Sequence, residues 1–225
     1  MIILRKKTIA LIVVSVAFLT VCNHYQEKKQ DKALKTIIAD QNIQYVTEIH
    51  KNKEDVQIPN TKYELLKNEI HKQIAIYRNE FAELLTTDEQ SNQEYTLFIT
   101  YEEYTYNNYI SYIFFIEMFA GGAHPNHKLF TITYDIENNK IFTFEDLQTK
   151  YPELLNRLSE YSRHLLIRDS RVDIDMLDAG TEPKKDNFEH FVLTKEGVKI
   201  YFDRYQIAPY VSGQIDVVVP YSHFN

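Results

Sequence analysis

The chain has 225 residues, 44% hydrophobic and 13% aromatic, with 17 Tyr, 13 Phe and no Trp, so it has enough apolar surface for a core and disorder throughout is excluded. Five Gly and six Pro exclude collagen-like and low-complexity architectures and leave few loops that could cradle phosphates. Lys+Arg 25 against Asp+Glu 32 gives a net charge of −7, the wrong sign for a phosphate-backbone footprint, so no nucleic-acid partner is expected.

Residues 9–21 read IALIVVSVAFLTV, an apolar run preceded by Arg5, Lys6 and Lys7. A signal-peptide core needs roughly 7 to 15 apolar residues, and a bilayer-spanning helix roughly 17 to 25. Residues 1–22 are therefore expected to be a signal or lipoprotein-type leader or a membrane anchor. Cys22 closes the run in the order Leu19, Thr20, Val21, Cys22, which resembles a bacterial lipoprotein signal with Cys22 as the lipid-bearing residue. Val21 departs from the small residue usual before that cysteine. Three outcomes stay open: lipid attachment at Cys22, an uncleaved anchor, or cleavage to a released protein. With one cysteine, no disulfide can form within the chain, so an exported domain must rest on its core. Setting residues 1–22 aside removes three cationic groups and no acidic one, taking the net charge from −7 to −10.

Residues 23–39 are expected to be a tether. Residues 40–90 read as a module of a β-hairpin plus a helix. Alternating segments at 43–50 and 54–58 supply the hairpin, and Tyr63, Leu66, Ile70, Ile74, Tyr77, Phe81 and Leu84 form a helical stripe. Thr61 and Glu64 have capping-box spacing. Residues 91–225 form a second, C-terminal α+β module. Strands are expected at 94–106, 109–120, 128–135 and 140–144, joined by short turns, two of them asparagine-rich, into an antiparallel meander. A helical turn opens at Glu145 and Asp146. A second helix follows Pro152, with Leu154, Leu158, Tyr161 and Leu165 on one face. Residues 168–185 are expected to be a mobile loop, and strands close the chain at 188–193, 198–202 and 214–221. The expected fold class is α+β: an antiparallel β-meander sheet with two principal helices packed on it.

Several constellations contain residues of types that carry chemistry. Asp173, Asp175 and Asp178 with Gly180 suggest a calcium loop, but the spacing does not match an EF-hand, and a solvated acidic loop is the expectation. His124 and His127 lack the further ligands a zinc site needs, so no metal and no cofactor are expected. No nucleophile elbow is present, and Cys22 lies in the leader. Glu102, Glu103 and Glu117 are the candidate carboxylates for a glycan hydrolase, though strand carboxylates are usually exposed-face residues. Tyrosines crowd the hairpin at 95, 101, 104, 106, 109 and 112 and the C-terminal strands at 201, 205, 210 and 221; core packing and a binding face are both open for them.

The sequence Gly121-Gly122-Ala123-His124-Pro125-Asn126, with Phe130-Thr131-Ile132-Thr133-Tyr134-Asp135 and Phe142-Thr143-Phe144-Glu145-Asp146-Leu147 after it, resembles the extracytoplasmic domain of RsiV-type anti-sigma factors. The same domain precedes the catalytic domain of PdaC-type peptidoglycan deacetylases. Tyr201-Phe202-Asp203, Tyr205-Gln206-Ile207-Ala208-Pro209-Tyr210, Gly213 and residues 217–221 look like its C-terminal signature, and Val56-Gln57-Ile58-Pro59-Asn60 is similar to the companion domain that precedes it. The resemblance implies a non-catalytic module outside the cytoplasm that recognises lysozyme or cell-wall glycan. Few residues precede the apolar run and none follows Asn225, so neither parent's output segment is expected.

Gly121 and Gly122 are expected to permit positive φ in the turn, and Pro125 to restrict His124 to extended geometry. His124, Asn126, Tyr205 and Tyr210 are the candidate ligand-binding residues, with no catalytic residue assigned. His124 either bonds within the turn or contacts a ligand, and Tyr205 and Tyr210 either close the sheet or form a rim. The leading expectation is a membrane-tethered binding or sensing domain of the bacterial cell envelope, with lysozyme or cell-wall peptidoglycan as partner. A glycan hydrolase, and a structural envelope lipoprotein binding a protein through its tyrosines, are the alternatives.

Overall fold

The computed structural model describes residues 52–87 and 94–224. The description concerns one compact unit that begins at Asn52. The leader, Cys22, the tether and the strand expected at 43–50 lie outside the described residues.

Five strands form one sheet: β1 (Asn52–Val56), β2 (Tyr95–Tyr106), β3 (Tyr109–Phe119), β4 (Asn126–Asp135) and β5 (Lys140–Phe142), in that spatial order. From β2 to β5 every pairing is antiparallel, as the short turns require. The tightest is the two-residue turn at Asn107 and Asn108, where Asn107 adopts φ 50°. β1 pairs parallel to β2, with Asn52 opposite Tyr95 and Val56 opposite Ile99, so the sheet is mixed. The sequence pattern hid this because a parallel neighbour far along the chain leaves no turn signal.

Helix α1 (Glu64–Thr87) covers one face of this sheet. Leu66, Ile70, Ile74 and Phe81 meet Leu97, Ile99, Tyr112, Phe114, Phe130 and Ile132 in one apolar cluster, so the helix expected in the N-terminal module shares a core with strands expected in the C-terminal one. The expected capping box is replaced by a local turn: Thr61 Oγ1 accepts from the Tyr63 amide at 3.3 Å, and the helix begins at Glu64.

A second sheet, β6 (Phe191–Leu193), β7 (Gly197–Phe202) and β8 (Ile215–Pro220), packs on the opposite face. Ile113 and Leu129 meet Val192 and Tyr201 between the sheets. Buried Ser111 bonds Thr133 on the neighbouring strand at 2.9 Å and accepts from the Leu193 amide of the second sheet at 3.1 Å. The outer face of that sheet buries Val198, Ile200, Phe202, Val217 and Val219 against three helices: α2 (Phe144–Lys150), α3 (Leu154–Leu166) and α4 (Ile174–Gly180). The result is a layered α+β architecture.

Three local expectations are corrected. β5 ends at Phe142, because Thr143 and Asp146 close a capping box that starts α2 at Phe144. On α3 the buried row is Leu154, Leu158, Ser162 and Leu166, a strict four-residue ridge, and Leu165 is 50% exposed. The segment expected to be a mobile loop contains α4: Asp173 caps it by accepting from the Met176 amide at 3.0 Å, and Leu177 is fully buried. That helix has one buried apolar side chain, too few to give a periodic pattern.

Candidate functional site

The two motif segments lie some 80 residues apart in the chain and meet in space. Residues 121–125 connect β3 to β4, with Gly121 at φ 84° and Gly122 at φ 111° making the reversal. Residues 203–209 leave β7 and lead into a short 3-10 turn, Tyr210–Ser212. Pro209 precedes that turn and lies in no strand. His124 stacks on Tyr210 with ring centroids 3.9 Å apart and an interplanar angle of 24°. Tyr205 and Tyr210 lie 5.9 Å apart, and the Tyr205 hydroxyl is 3.4 Å from His124 Nε2. Both sides tie to one carbonyl: the Tyr210 hydroxyl donates to the Pro125 oxygen at 3.1 Å, and His124 Nδ1 lies 2.9 Å from the same atom. His124 thus bonds within its turn while its ring stays exposed.

Tyr205 is a non-glycine residue at φ 66°, a left-handed conformation that is costly for an aromatic side chain, and it is 56% exposed. Val211, which follows Tyr210 in the chain, is 91% exposed. Asn126 is exposed at the first position of β4, opposite Met118 of β3.

Two contributors were not singled out as binding residues from sequence. Arg204 sets its guanidinium 5.3 Å from the Tyr210 ring centroid and donates to the Tyr210 carbonyl at 3.2 Å. His127, weighed only as a metal ligand, lies 5.5 Å from Tyr210, and its Nε2 is 3.8 Å from Glu117 Oε2. Burial first, then the Arg204 guanidinium, holds His127 below its ordinary pKa, with Glu117 pulling the other way. The alternation of His127 with Leu129 and Thr131 along β4 was the one sequence signal that could have placed it beside the motif.

An open cleft of about 560 Å3 adjoins this platform, with His127 on its wall together with Tyr77, Lys128, Phe130, His190 and Asp203. His190 Nε2 is 3.3 Å from Asp203 Oδ2, and Lys128 is held by Glu80 at 2.7 Å.

The remaining candidates sit elsewhere. Glu102 and Glu103 are consecutive on β2 and project to opposite faces. Glu102 accepts from the hydroxyls of Tyr104 at 2.5 Å and Tyr201 at 3.2 Å, and Glu103 accepts from Tyr112 at 2.8 Å. Glu117 pairs with Phe98, four residues back along β2 from Glu102, about 13 Å away at strand rise. No two of them form a facing carboxylate pair. Asp173 is a helix cap and Asp178 pairs with Arg163 at 2.7 Å, so the acidic segment is structural. No group of three or more His, Cys, Asp or Glu that could hold a metal occurs among the described residues.

Most hairpin tyrosines pack inward. Tyr95 and Tyr112 are buried, Tyr101 packs on Tyr112 and Phe114, and Tyr106 stacks on Tyr221 at 4.9 Å. Tyr104 and Tyr201 share a 2.8 Å hydroxyl contact between the sheets, with Lys199 donating to Tyr104 at 3.2 Å. Burial and the bond to Tyr104 push the Tyr201 hydroxyl far above the usual phenol range, so it stays protonated.

Residues 125–222 match the family model described as "Protein of unknown function (DUF3298)". The matched region covers 98 of the chain's 225 residues. That region runs from the residue before β4 to past β8, so it contains Pro125, Asn126, Tyr205 and Tyr210, while His124 and the two glycines lie just ahead of it. Over 103 residues, 45% of this chain, the sequence is 29% identical to the peptidoglycan-N-acetylmuramic acid deacetylase PdaC of Bacillus subtilis. The match spans 22% of the deacetylase's length. The resemblance to PdaC-type proteins expected from the motifs is borne out. A solved DUF3298 family protein from Pseudomonas aeruginosa is 19% identical with a TM-score of 0.46, covering 66% of each chain. Another from Bacteroides fragilis is 21% identical with a TM-score of 0.45, covering 73% of this chain and 68% of the other. No helix among the described residues is long and apolar enough to cross a membrane.

Proposed function

We propose that this protein is a binding domain of the bacterial cell envelope, tethered outside the cytoplasm by its N-terminal segment, that recognises cell-wall peptidoglycan and performs no reaction on it. The observation that carries the reading is the convergence of residues 121–126 with residues 204–210 into one exposed aromatic platform beside an open cleft. Flat rings with polar tips suit sugar faces, because they offer apolar contact and hydroxyl or imidazole hydrogen bonds at little entropic cost. The partial similarity to a peptidoglycan deacetylase supports the same ligand class. The dispersal of Glu102, Glu103 and Glu117 speaks against hydrolysis through them. Of the hairpin tyrosines, Tyr95 and Tyr112 are buried and Tyr101, Tyr104, Tyr106 and Tyr109 are partly buried against the core clusters, which leaves less ring surface for a protein-binding face, the third reading.

The test is co-sedimentation of the full-length protein with purified peptidoglycan, wild type against Tyr205→Ala/Tyr210→Ala. Retention by the wild type, reduced tenfold or more in the double variant, is expected; no retention at low salt would contradict the reading. Muropeptide release from the same suspension would show an enzyme instead. A lysozyme-like basic protein is the second reading, favoured by the −10 charge of the chain beyond residue 22. It predicts capture of lysozyme that weakens steeply with salt.

A further inference from the structure

The edge of β4 borders the cleft beside the aromatic platform, with His127 common to both. β5 covers β4 only at Thr133, Tyr134 and Asp135. A two-residue turn closes on the Tyr106–Tyr109 pair and fixes that pair as mutually hydrogen-bonded. Counting in twos along the ladder, even-numbered residues of β3 and β4 then bond one another, as in the pairs Phe114–Phe130 and Ile116–Lys128. The amide of Ile136, also even-numbered, donates to the Asn108 carbonyl at 2.8 Å on the same side. It follows that His127, Leu129 and Thr131 turn their backbone N–H and C=O groups away from β3. That is the side where the cleft opens, and no backbone partner for them occurs among the described residues.

The two walls of the cleft differ in chemistry. Tyr77 and Phe130, stacked at 5.6 Å, form an apolar wall on the α1 side. Glu189 and Asp203 stand on the other wall, about half exposed. Lys128, the one Lys or Arg lining the cleft among the described residues, is neutralised by Glu80. Unpaired backbone groups, an apolar wall and an acidic wall together define an occupant.

We propose that the β4 edge binds an extended polypeptide segment of a protein partner by strand addition, the segment alternating apolar residues toward Tyr77 and Phe130 with basic residues toward Glu189 and Asp203. The span from His127 to Thr131 admits about five residues, roughly 14 Å at strand rise. Alternation matters because successive side chains of an added strand point to opposite walls.

The test uses the full-length protein and a fluorescein-labelled heptapeptide of alternating Lys and Val, followed by fluorescence anisotropy. The comparison peptides are the same composition in two blocks, a version N-methylated at every Lys, and a version N-methylated at every Val. An added strand uses only alternate amides, so one methylated peptide should lose tenfold or more in affinity while the other is unchanged. The block peptide should also lose at least tenfold, as should the alternating peptide against Glu189→Gln/Asp203→Asn. Amide exchange at Leu129 and Thr131 should slow at least tenfold when the alternating peptide is bound. Equal binding of all four peptides would reduce the effect to charge attraction and overturn the proposal, as would no binding of the alternating peptide. Slowed exchange elsewhere with none at Leu129 or Thr131 would equally overturn it.

Discussion

At the scale of single residues, Tyr205 carries the clearest sign of function. An aromatic side chain in the left-handed region is maintained against its own backbone preference, and such outliers gather where a ligand is met. Asn tolerates that conformation far better. Tyr205→Asn is therefore expected to leave the thermal midpoint unchanged or raise it, while reducing retention on peptidoglycan tenfold or more. A fall in stability with binding intact would make Tyr205 a structural residue. Thr143 has the opposite character. Its side chain accepts from the Asp146 amide, and Asp146 returns a bond to the Thr143 amide, so Thr143→Ala should cost about 1 kcal/mol in denaturant unfolding without touching binding. The Lys140 ammonium, then the Thr143 amide, holds the Asp146 carboxyl below its ordinary range. Its contribution is thus present above the unfolded carboxyl's pKa and is lost as pH falls through the lower folded value.

At the scale of elements, legibility followed periodicity and turn chemistry. The α1 stripe was readable because the helix buries one face, so Leu66, Ile70 and Ile74 recur at its period. The β2–β5 meander, covered by α1 on one face and the second sheet on the other, was readable from its β-branched and aromatic runs and short turns. α4 was not readable, because Leu177 and Gly180 are its only buried residues. Gly180 sits where a Cβ would come within 2.2 Å of the Gln206 carbonyl oxygen and 2.7 Å of Ile207 Cγ2. Gly180→Ala should accordingly cost on the order of 2 kcal/mol, read as a lower urea midpoint with an unchanged slope. Gln206 donates to the Gly180 carbonyl at 2.9 Å, and Ile207 accepts from the Asp173 amide at 3.2 Å. α4 thus holds in place the segment that carries Arg204, Tyr205 and Tyr210, and the same variant should also weaken peptidoglycan retention.

At the scale of the whole molecule, the two sheets bring together motifs that the sequence lists far apart. The motifs themselves were visible as Gly121-Gly122-Ala123-His124-Pro125-Asn126 and as residues 201–210. Their meeting was not, because it depends on how the second sheet lies across the first, which no local pattern encodes. Arg204 and His127 were missed as members of the platform for the same reason: each contacts Tyr210 across that junction. The junction also responds to pH. His127 is held below its ordinary value of about 6.5, so the folded state binds fewer protons than the unfolded state, and stability is lost as pH falls through 6.5 toward the lower folded value. Urea midpoints between pH 7.5 and 5.5 should fall more steeply in the wild type than in His127→Gln; equal slopes would remove His127 as the cause. Hydroxyl-radical footprinting of the full-length protein, with and without soluble muropeptides, tests the central claim most directly. Protection of His124, Tyr205 and Tyr210 with no change at Leu165 and Ile76 is the predicted result, and unchanged labelling of all three platform residues under saturating muropeptide would contradict it.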